Sequence, residues 1–516
     1  MSGPETPRGR RWPWLIGLLV FSAGLRLAMV HQGGQFFFGD EGRHERGVAL
    51  YLAIRDGDGA AVRAALGRPE HIGFTVLGAG ITALQHLGAQ FTPWGDWHRP
   101  EHVVFTYGIG AGWLALFSVA NIALVHTLAR RSGATDAEAG WAALLMACSN
   151  TGFYYARHFL PYDAALTCAL GALLVGLNPR RAGWCGLLAG ATYHVYNGYW
   201  YLVPVVALVC YLGTGGGTGE RIRRLVWFGL GAGTALALPV LVGVALAGHD
   251  YWHTMVAFSH TVNQGLYREG WSLPWEYFWY SEGLLGVAVL AVIAGAALRA
   301  SRYPPADNRR GWLWLGALAA SYGWLVLFSV GLEKFVVYAR TVKPFVPLLC
   351  LAGGWAAARL LAGRVRVARG AALGCGLVAV VNFLPHFSFA FPADVEKSVL
   401  RETGNPKHTL AVSGSLYIPL ALPVQRPDLV LVNAQLLYPI RDYLGFPAGT
   451  TLVRLEHPLT YRPFQYESHN PREREVLRTR DISIQLIRLA RPADLPDDLP
   501  FPLRFAAGDR PDGRPR

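Results

Sequence analysis

The chain has 516 residues, 52% of them hydrophobic and only 16% charged, against roughly 25% charged in soluble domains. Its net charge of +13 is carried by arginines spread between apolar stretches rather than gathered in one patch, which argues for membrane topology and against a nucleic-acid partner. Cys148, Cys168, Cys185, Cys210, Cys350 and Cys375 all lie inside apolar stretches, so neither a disulfide framework nor a cysteine-based zinc site is expected.

Arg8, Arg10 and Arg11 precede an apolar stretch from about Pro13 to Val30. This is close to the ~20 residues that one bilayer crossing takes, and the basic residues place its start in the cytoplasm. No small-residue cleavage site follows, so the stretch reads as a retained helix rather than a signal peptide. A long polar first outer loop then covers residues 32–101 and contains a weaker apolar segment, Ile72 to Leu87, interrupted by Gly78 and Gly80. Further spans are predicted at His102 to Leu128, Ala139 to Tyr155, Tyr162 to Leu177, Trp184 to Tyr196 and Tyr199 to Leu212. Others follow at Leu225 to Ala247, Leu284 to Leu298, Gly311 to Val330, Val342 to Leu361 and Ala371 to Phe389. By length this gives about eleven spans, with a second outer loop at residues 248–281.

The arginines support one orientation. Arg130-Arg131, Arg180-Arg181, Arg221 to Arg224, Arg302 with Arg309-Arg310, and Arg364 with Arg366 and Arg369 occupy alternate connections, on the side of the N-terminus. Short turns on the opposite side are poorer in arginine. An odd number of crossings puts the C-terminal segment outside the cell membrane.

From residue 391 the composition becomes soluble in character. Short β-like runs at Thr409 to Val412, Leu429 to Val432, Thr451 to Leu455 and Ile482 to Ile487 are separated by Pro- and Gly-containing turns. Segments Ser415 to Leu422 and Ala434 to Tyr443 read as helices between them. The expected fold is therefore an all-α polytopic membrane domain over residues 1–390 and a small extracytoplasmic α/β domain over residues 391–490. The tail, 491–516, is rich in Pro, Asp and Arg and reads as disordered.

Several polar residues fall where a membrane protein rarely tolerates them without cause. Asp40 and Glu41, with Arg43 two positions on, follow the first span directly. They are either a solvated pair capping a loop helix or carboxylates placed at the membrane surface for proton transfer. Glu70-His71 precedes the weak apolar segment, a helix-start feature in its plainer reading. Asp163 follows Pro161 and Tyr162 in the first turn of a predicted span. The helix dipole favours an acid there, yet an ionisable group at membrane depth is a functional candidate. His194 and Asn197 sit in an aromatic-rich hairpin and are suited to hydrogen bonds across helices.

Loop 248–281 holds His249, His253 and His260, with Arg268 and Glu269. The i,i+4 spacing of His249 and His253 suits two ligands on one helix face, and Glu70 is a further weak metal candidate. No cofactor is required by the sequence, and a divalent metal is left open. In the last outer turn, Lys334, Arg340 and Lys343 are cations on the side the topology rule disfavours. They are placed either to hold an anionic lipid headgroup or to snorkel to phospholipid phosphates.

Taken together these features resemble the integral-membrane glycosyltransferases of the GT-C fold, most closely the protein O-mannosyltransferase and lipid A aminoarabinose transferase type. The resemblance covers most of residues 12 to 362. Its carriers are Asp40-Glu41-Gly42-Arg43, Glu70-His71, Leu160-Pro161-Tyr162-Asp163, the run Gly186 to Thr192, and Arg340 to Pro347. Ile72 follows His71 where such enzymes often have proline. The resemblance implies transfer of a sugar, with inversion, from a polyprenyl-phosphate carrier to a lipid, glycan or protein acceptor at the outer face. It implies Asp40 as general base beside Glu41, and Asp163 as the group orienting sugar or acceptor. Arg43, Arg340 and Lys334 would hold phosphate with His71 and Arg268. Glu70, Tyr162, His194 and Asn197 would line the substrate. The competing reading is a multi-pass transporter or lipid flippase, which explains the spans and Asp163 but not the acid pair in a long outer loop.

Overall fold

The computed structural model describes residues 12–31, 43–67, 71–90, 103–212, 216–248, 250–262, 267–302 and 305–387, together with four strands further on. In chain order the helices are α1 (Trp12–His31), α2 (His44–Arg55), α3 (Gly59–Leu66), α4 (Ile72–Gln90), α5 (Val103–Arg131), α6 (Asp136–Cys148) and α7 (Asn150–Tyr154). They continue with α8 (Tyr162–Gly176), α9 (Ala182–Val195), α10 (Leu202–Leu212), α11 (Thr218–Ala247), α12 (Asp250–Val262) and α13 (Leu273–Leu298). The last are α14 (Pro305–Val326), α15 (Ala339–Val342), α16 (Phe345–Leu360) and α17 (Val365–Phe387).

Among the described residues seven helical segments are long and apolar enough to cross a membrane: this is a helical, multi-span membrane protein. In α1 the exposed residues Ile16, Val20 and Leu27 alternate with buried Leu15, Ser22, Arg26 and Met29, a helical spacing that gives one face to lipid and one to protein. In α11 only 11% of the membrane-length window is buried, whereas in the segment Arg340–Leu360 it is 94%. Helix α16 is therefore the central one, packed among α6, α13 and α14.

The predicted spans Tyr162 to Leu177, Trp184 to Tyr196 and Tyr199 to Leu212 correspond to α8, α9 and α10, of 15, 14 and 11 residues. At ~1.5 Å per residue these are shorter than a ~30 Å hydrocarbon core. The span predicted at Ala139 to Tyr155 is not one helix. It stops at Cys148, passes through Ser149 in an extended conformation (φ −65, ψ 124) and restarts as α7. Ser149, Asn150 and Thr151 are short polar residues that favour caps over helix interiors, and the Ser149 hydroxyl accepts the Gly152 N–H at 3.1 Å. The span predicted at Leu284 to Leu298 lies within the membrane-length segment Ser281–Leu298, and α13 extends back from it to Leu273 across a kink at Gly283 (φ 53, ψ −129). Within the long first loop, α2, α3 and α4 are helical.

Glycines bring several helices into backbone contact. A side-chain carbon at Gly47 would overlap the backbone of Gly78, joining α2 to α4, and one at Gly73 would overlap the carbonyl of His194, joining α4 to α9. Gly186 and Gly190 face Phe228 and Ala232 of α11 in the same way. The small-residue spacing in the run Gly186 to Thr192 is therefore a helix-packing device.

The four strands, β1 (Thr409–Ser413), β2 (Leu429–Asn433), β3 (Leu452–Pro458) and β4 (Asp481–Arg488), form a mixed sheet in the order β2-β1-β4-β3. β1 and β2 are parallel, while β4 is antiparallel to both β1 and β3. The helices predicted at 415–422 and 434–443, and the tail 491–516, lie outside the described residues.

Candidate functional site

The turn between α7 and α8 runs Tyr155, Ala156, Arg157, His158, Phe159, Leu160, Pro161, and every one of these residues is buried. Pro161 immediately precedes α8, a position where the missing N–H costs nothing, so Tyr162 and Asp163 enter the bundle in the first turn. Asp163 is paired there. Its Oδ1 lies 2.8 Å from Nζ of Lys343, and the two side chains are 4% and 1% exposed. Asn121 of α5 donates to the Asp163 carbonyl and carboxylate at 3.2 and 3.3 Å, and the Thr167 hydroxyl fixes the Asn121 amide at 2.8 Å. Lys343 also lies 4.8 Å from the centre of the Tyr155 ring, a cation over an aromatic face.

A second buried cation stands on α1. Arg26 is 1% exposed; its Nε donates to Ser118 at 2.9 Å and its Nη1 to the Ser22 carbonyl at 3.2 Å. Ser118 passes the link on to the Gly152 carbonyl at 2.8 Å. Ser118 and Asn121 lie one turn apart on α5, so one helix face holds both Arg26 and Asp163.

Beside this pair lies an aromatic cluster. Tyr162 meets Tyr155 edge-on at 5.1 Å and Tyr196 at 4.8 Å, and Tyr196 meets Tyr199 at 4.9 Å. His71 stacks on Tyr196 with ring centres 5.4 Å apart and planes 5° from parallel. The phenolic oxygen of Tyr196 accepts from Nε of Arg340 at 3.0 Å, and the guanidinium lies over Tyr338 at 4.4 Å. The Tyr199 hydroxyl donates to the Arg340 carbonyl at 3.2 Å, so the backbone that carries Arg340 is held as well as its side chain. His71 has φ 55, the left-handed region that a non-glycine residue adopts at a cost of about 1 kcal/mol or more. It is held in that conformation directly before α4, where Gly73 presses on the end of α9.

The structure thus brings His71, Tyr162 and Arg340 together around Tyr196, and Asp163, next to Tyr162 in the chain, pairs with Lys343. Other candidates stand elsewhere. His194 is buried and its Nε2 bonds to the Ala235 carbonyl at 2.9 Å, tying α9 to α11 by the kind of hydrogen bond across helices that its place in the hairpin suggests. Asn197 is half-buried in the short turn Asn197–Tyr199. Arg268, Lys334 and His253 are exposed; the turn Tyr267–Gly270 packs through Gly270 on Ser329 and Val337, near the segment that carries Lys334. Lys343, expected to face a headgroup, is instead the buried partner of Asp163. Arg43 is half-buried at the start of α2, and His44 after it packs on Phe159 with ring centres 3.8 Å apart. Asp40, Glu41, Glu70 and His249 lie outside the described residues.

Among the described residues no three His, Cys, Asp or Glu side chains form a group suited to a metal ion. A groove of about 750 Å³ between α1 and α6, lined by Trp14, Phe21, Asp136 and Trp141, contains none of the candidate residues. Sequence reasoning passed over Arg26, Asn121 and Glu282. Arg26 and Asn121 carried a signal, since each is a strongly polar residue inside an apolar span. No protein-family model matches the chain, and no curated protein matches it.

Proposed function

We propose that this protein is a membrane glycosyltransferase that moves a sugar, with inversion, from a polyprenyl-phosphate carrier to an acceptor at the extracytoplasmic face. The observation that carries this reading is the meeting of His71, Tyr162 and Arg340 around Tyr196, with Asp163 next to Tyr162 in the chain and held by Lys343. His71, Tyr162 and Arg340 are far apart in sequence, and each has a role in the same reaction. In this account Asp40 takes the proton from the acceptor hydroxyl as it attacks the anomeric carbon. The bond to the carrier phosphate breaks, and Arg340, Arg43 and His71 stabilise the departing anion. Asp163, fixed by Lys343 and Asn121, orients the sugar or acceptor. The exposed Arg268 and Lys334 attract the anionic donor from the interface. The N-terminus is cytoplasmic, α6 to α10 complete about eleven crossings with the longer helices, and the four strands belong to an extracytoplasmic α/β domain. Incubation of the purified chain with a labelled polyprenyl-phosphate sugar and a membrane extract supplying lipid, glycan and protein acceptors tests this: free polyprenyl phosphate should accumulate as label passes to an acceptor.

One observation favours a second reading. A helix broken within the bundle, as between α6 and α7, together with a buried ion pair, is a feature of transporters. That reading requires uptake or lipid translocation driven by an ion gradient in proteoliposomes, without cleavage of the donor.

A further inference from the structure

Glu282 is a carboxylate that the proposed reaction does not use. It is 2% exposed and directly precedes Gly283, where α13 kinks. The kink turns its carboxylate onto the break between α6 and α7. Oε2 accepts the Asn150 N–H at 2.8 Å, and Oε1 accepts the Thr151 N–H at 2.9 Å and the Ser149 hydroxyl at 3.2 Å. The first N–H groups of a helix have no partner within it, and here a residue 131 to 133 positions away in sequence supplies one. The Asn150 amide also donates to the Ser281 carbonyl at 2.8 Å, and its Oδ1 lies 2.9 Å from Nε2 of His386 in α17. The His386 carbonyl accepts from Arg157.

The segment fixed in this way leads straight into the site. α7 continues into the turn Tyr155–Arg157. Tyr155 lies under the Lys343 ammonium and against Tyr162. A shift of α7 therefore moves the aromatic floor of the Lys343–Asp163 pair.

We propose that Glu282 is a positioning residue: by capping α7 it holds Tyr155, and through Tyr155 the Lys343–Asp163 pair and Tyr162, in the geometry that turnover requires. Its turnover arm rests on the transferase reading; its mechanical arm does not. Glu282 touches neither donor nor acceptor, so its loss acts on kcat and leaves KM for the donor nearly unchanged. The bland alternative is a buried anchor that merely holds the bundle together.

The test uses the full chain in detergent, with Glu282→Gln, Glu282→Asp and the milder Ser149→Ala. Hydrogen exchange is followed at residues 149–157 and, as reference, in α9 and α11, alongside steady-state kinetics with a polyprenyl-phosphate sugar. For Glu282→Gln, exchange at 149–157 should rise about 10-fold, the scale of a lost charge-assisted hydrogen bond, with α9 and α11 unchanged. kcat should fall about 10-fold with KM within about 2-fold, and Glu282→Asp should recover part of both. Ser149→Ala should move both in the same direction by less, and it decides the matter if Glu282→Gln does not fold. Unchanged exchange at 149–157, a uniform rise across all helices, or a local rise with unaltered kcat would each overturn the proposal. Should the unsubstituted chain release no polyprenyl phosphate, the transferase reading falls and the positioning role in turnover falls with it. The exchange data then decide only whether Glu282 holds residues 149–157.

Discussion

The Lys343 ammonium lies 2.8 Å from a carboxylate oxygen of Asp163, with both side chains almost wholly inside the bundle. One residue opens α8 and the other precedes α16, so the pair joins the turn after the broken helix to the central helix. Two charges out of water are tolerated together and not singly. Asp163→Leu or Lys343→Met alone should therefore destabilise the chain by roughly 3–5 kcal/mol, the usual cost of stranding a buried charge. The double variant should recover much of that stability yet remain without turnover. Thermal unfolding in detergent, read beside activity, checks both halves. A double variant as unstable as the singles would show that the pair is not mutually compensating.

Arg340 and Tyr196 give a graded series. The guanidinium is shared between the Tyr196 hydroxyl and the Tyr338 ring, and lysine offers neither the fork nor the planar stack. Arg340→Ala should weaken donor affinity by about 10-fold or more, the scale of one charge-assisted hydrogen bond. Arg340→Lys should recover part, and Tyr196→Phe should cost less than Arg340→Ala. Equal donor affinity in all three, measured by calorimetry or competition, would remove Arg340 from the phosphate site.

Packing of α9 on α11 should be sensitive to single carbon atoms. Gly190→Val places a branched side chain against Ala232 and Ala235, whereas Gly233→Ala meets nothing within 4 Å. Overpacking of this kind costs about 1–3 kcal/mol and occasionally more, while the control should be neutral or slightly favourable, since alanine is the better helix former. A melting temperature for Gly190→Val equal to that of the unsubstituted chain would contradict the close approach.

The pattern of what the sequence discloses follows from what is local. Helices α1, α5, α11, α14, α16 and α17 are legible because length and apolarity are local properties of each stretch. Asp163, Tyr162 and Arg340 are legible as candidates because polar groups in apolar surroundings are visible without knowing their partners. The break at Ser149 is not readable from apolar content: Ser149, Asn150 and Thr151 become a helix start through Glu282, far along the chain. The same holds for Lys343, whose place in a basic outer turn points to lipid while its partner is Asp163. His194 makes the hydrogen bond across helices that its place in an apolar hairpin suggests, although its partner, the Ala235 carbonyl, is not readable from its neighbourhood. The apolar patterns of α8 and α10 are legible too: the predicted bounds Tyr162 to Leu177 and Tyr199 to Leu212 match these helices to within three residues, because the turns at Asn178 and Asn197 interrupt the apolar runs.

Orientation is a separate expectation with its own test. With the N-terminus inside and an odd number of crossings, residues 391–516 face outward. Protease added to intact spheroplasts should remove that segment, and inverted vesicles should protect it. Cleavage only in inverted vesicles would put the outer loops, Asp40 and Arg340 on the wrong side for a polyprenyl-linked donor presented outside.

The most direct measurement is single-turnover release of polyprenyl phosphate from a labelled polyprenyl-phosphate sugar by the purified chain, with a membrane extract supplying lipid, glycan and protein acceptors, comparing the unsubstituted protein with Asp40→Asn. The account predicts release by the unsubstituted chain and a loss of at least ~10²-fold in the variant, typical of removing a general base, with donor binding little changed. Release at equal rates by the two proteins, or by neither, would contradict it.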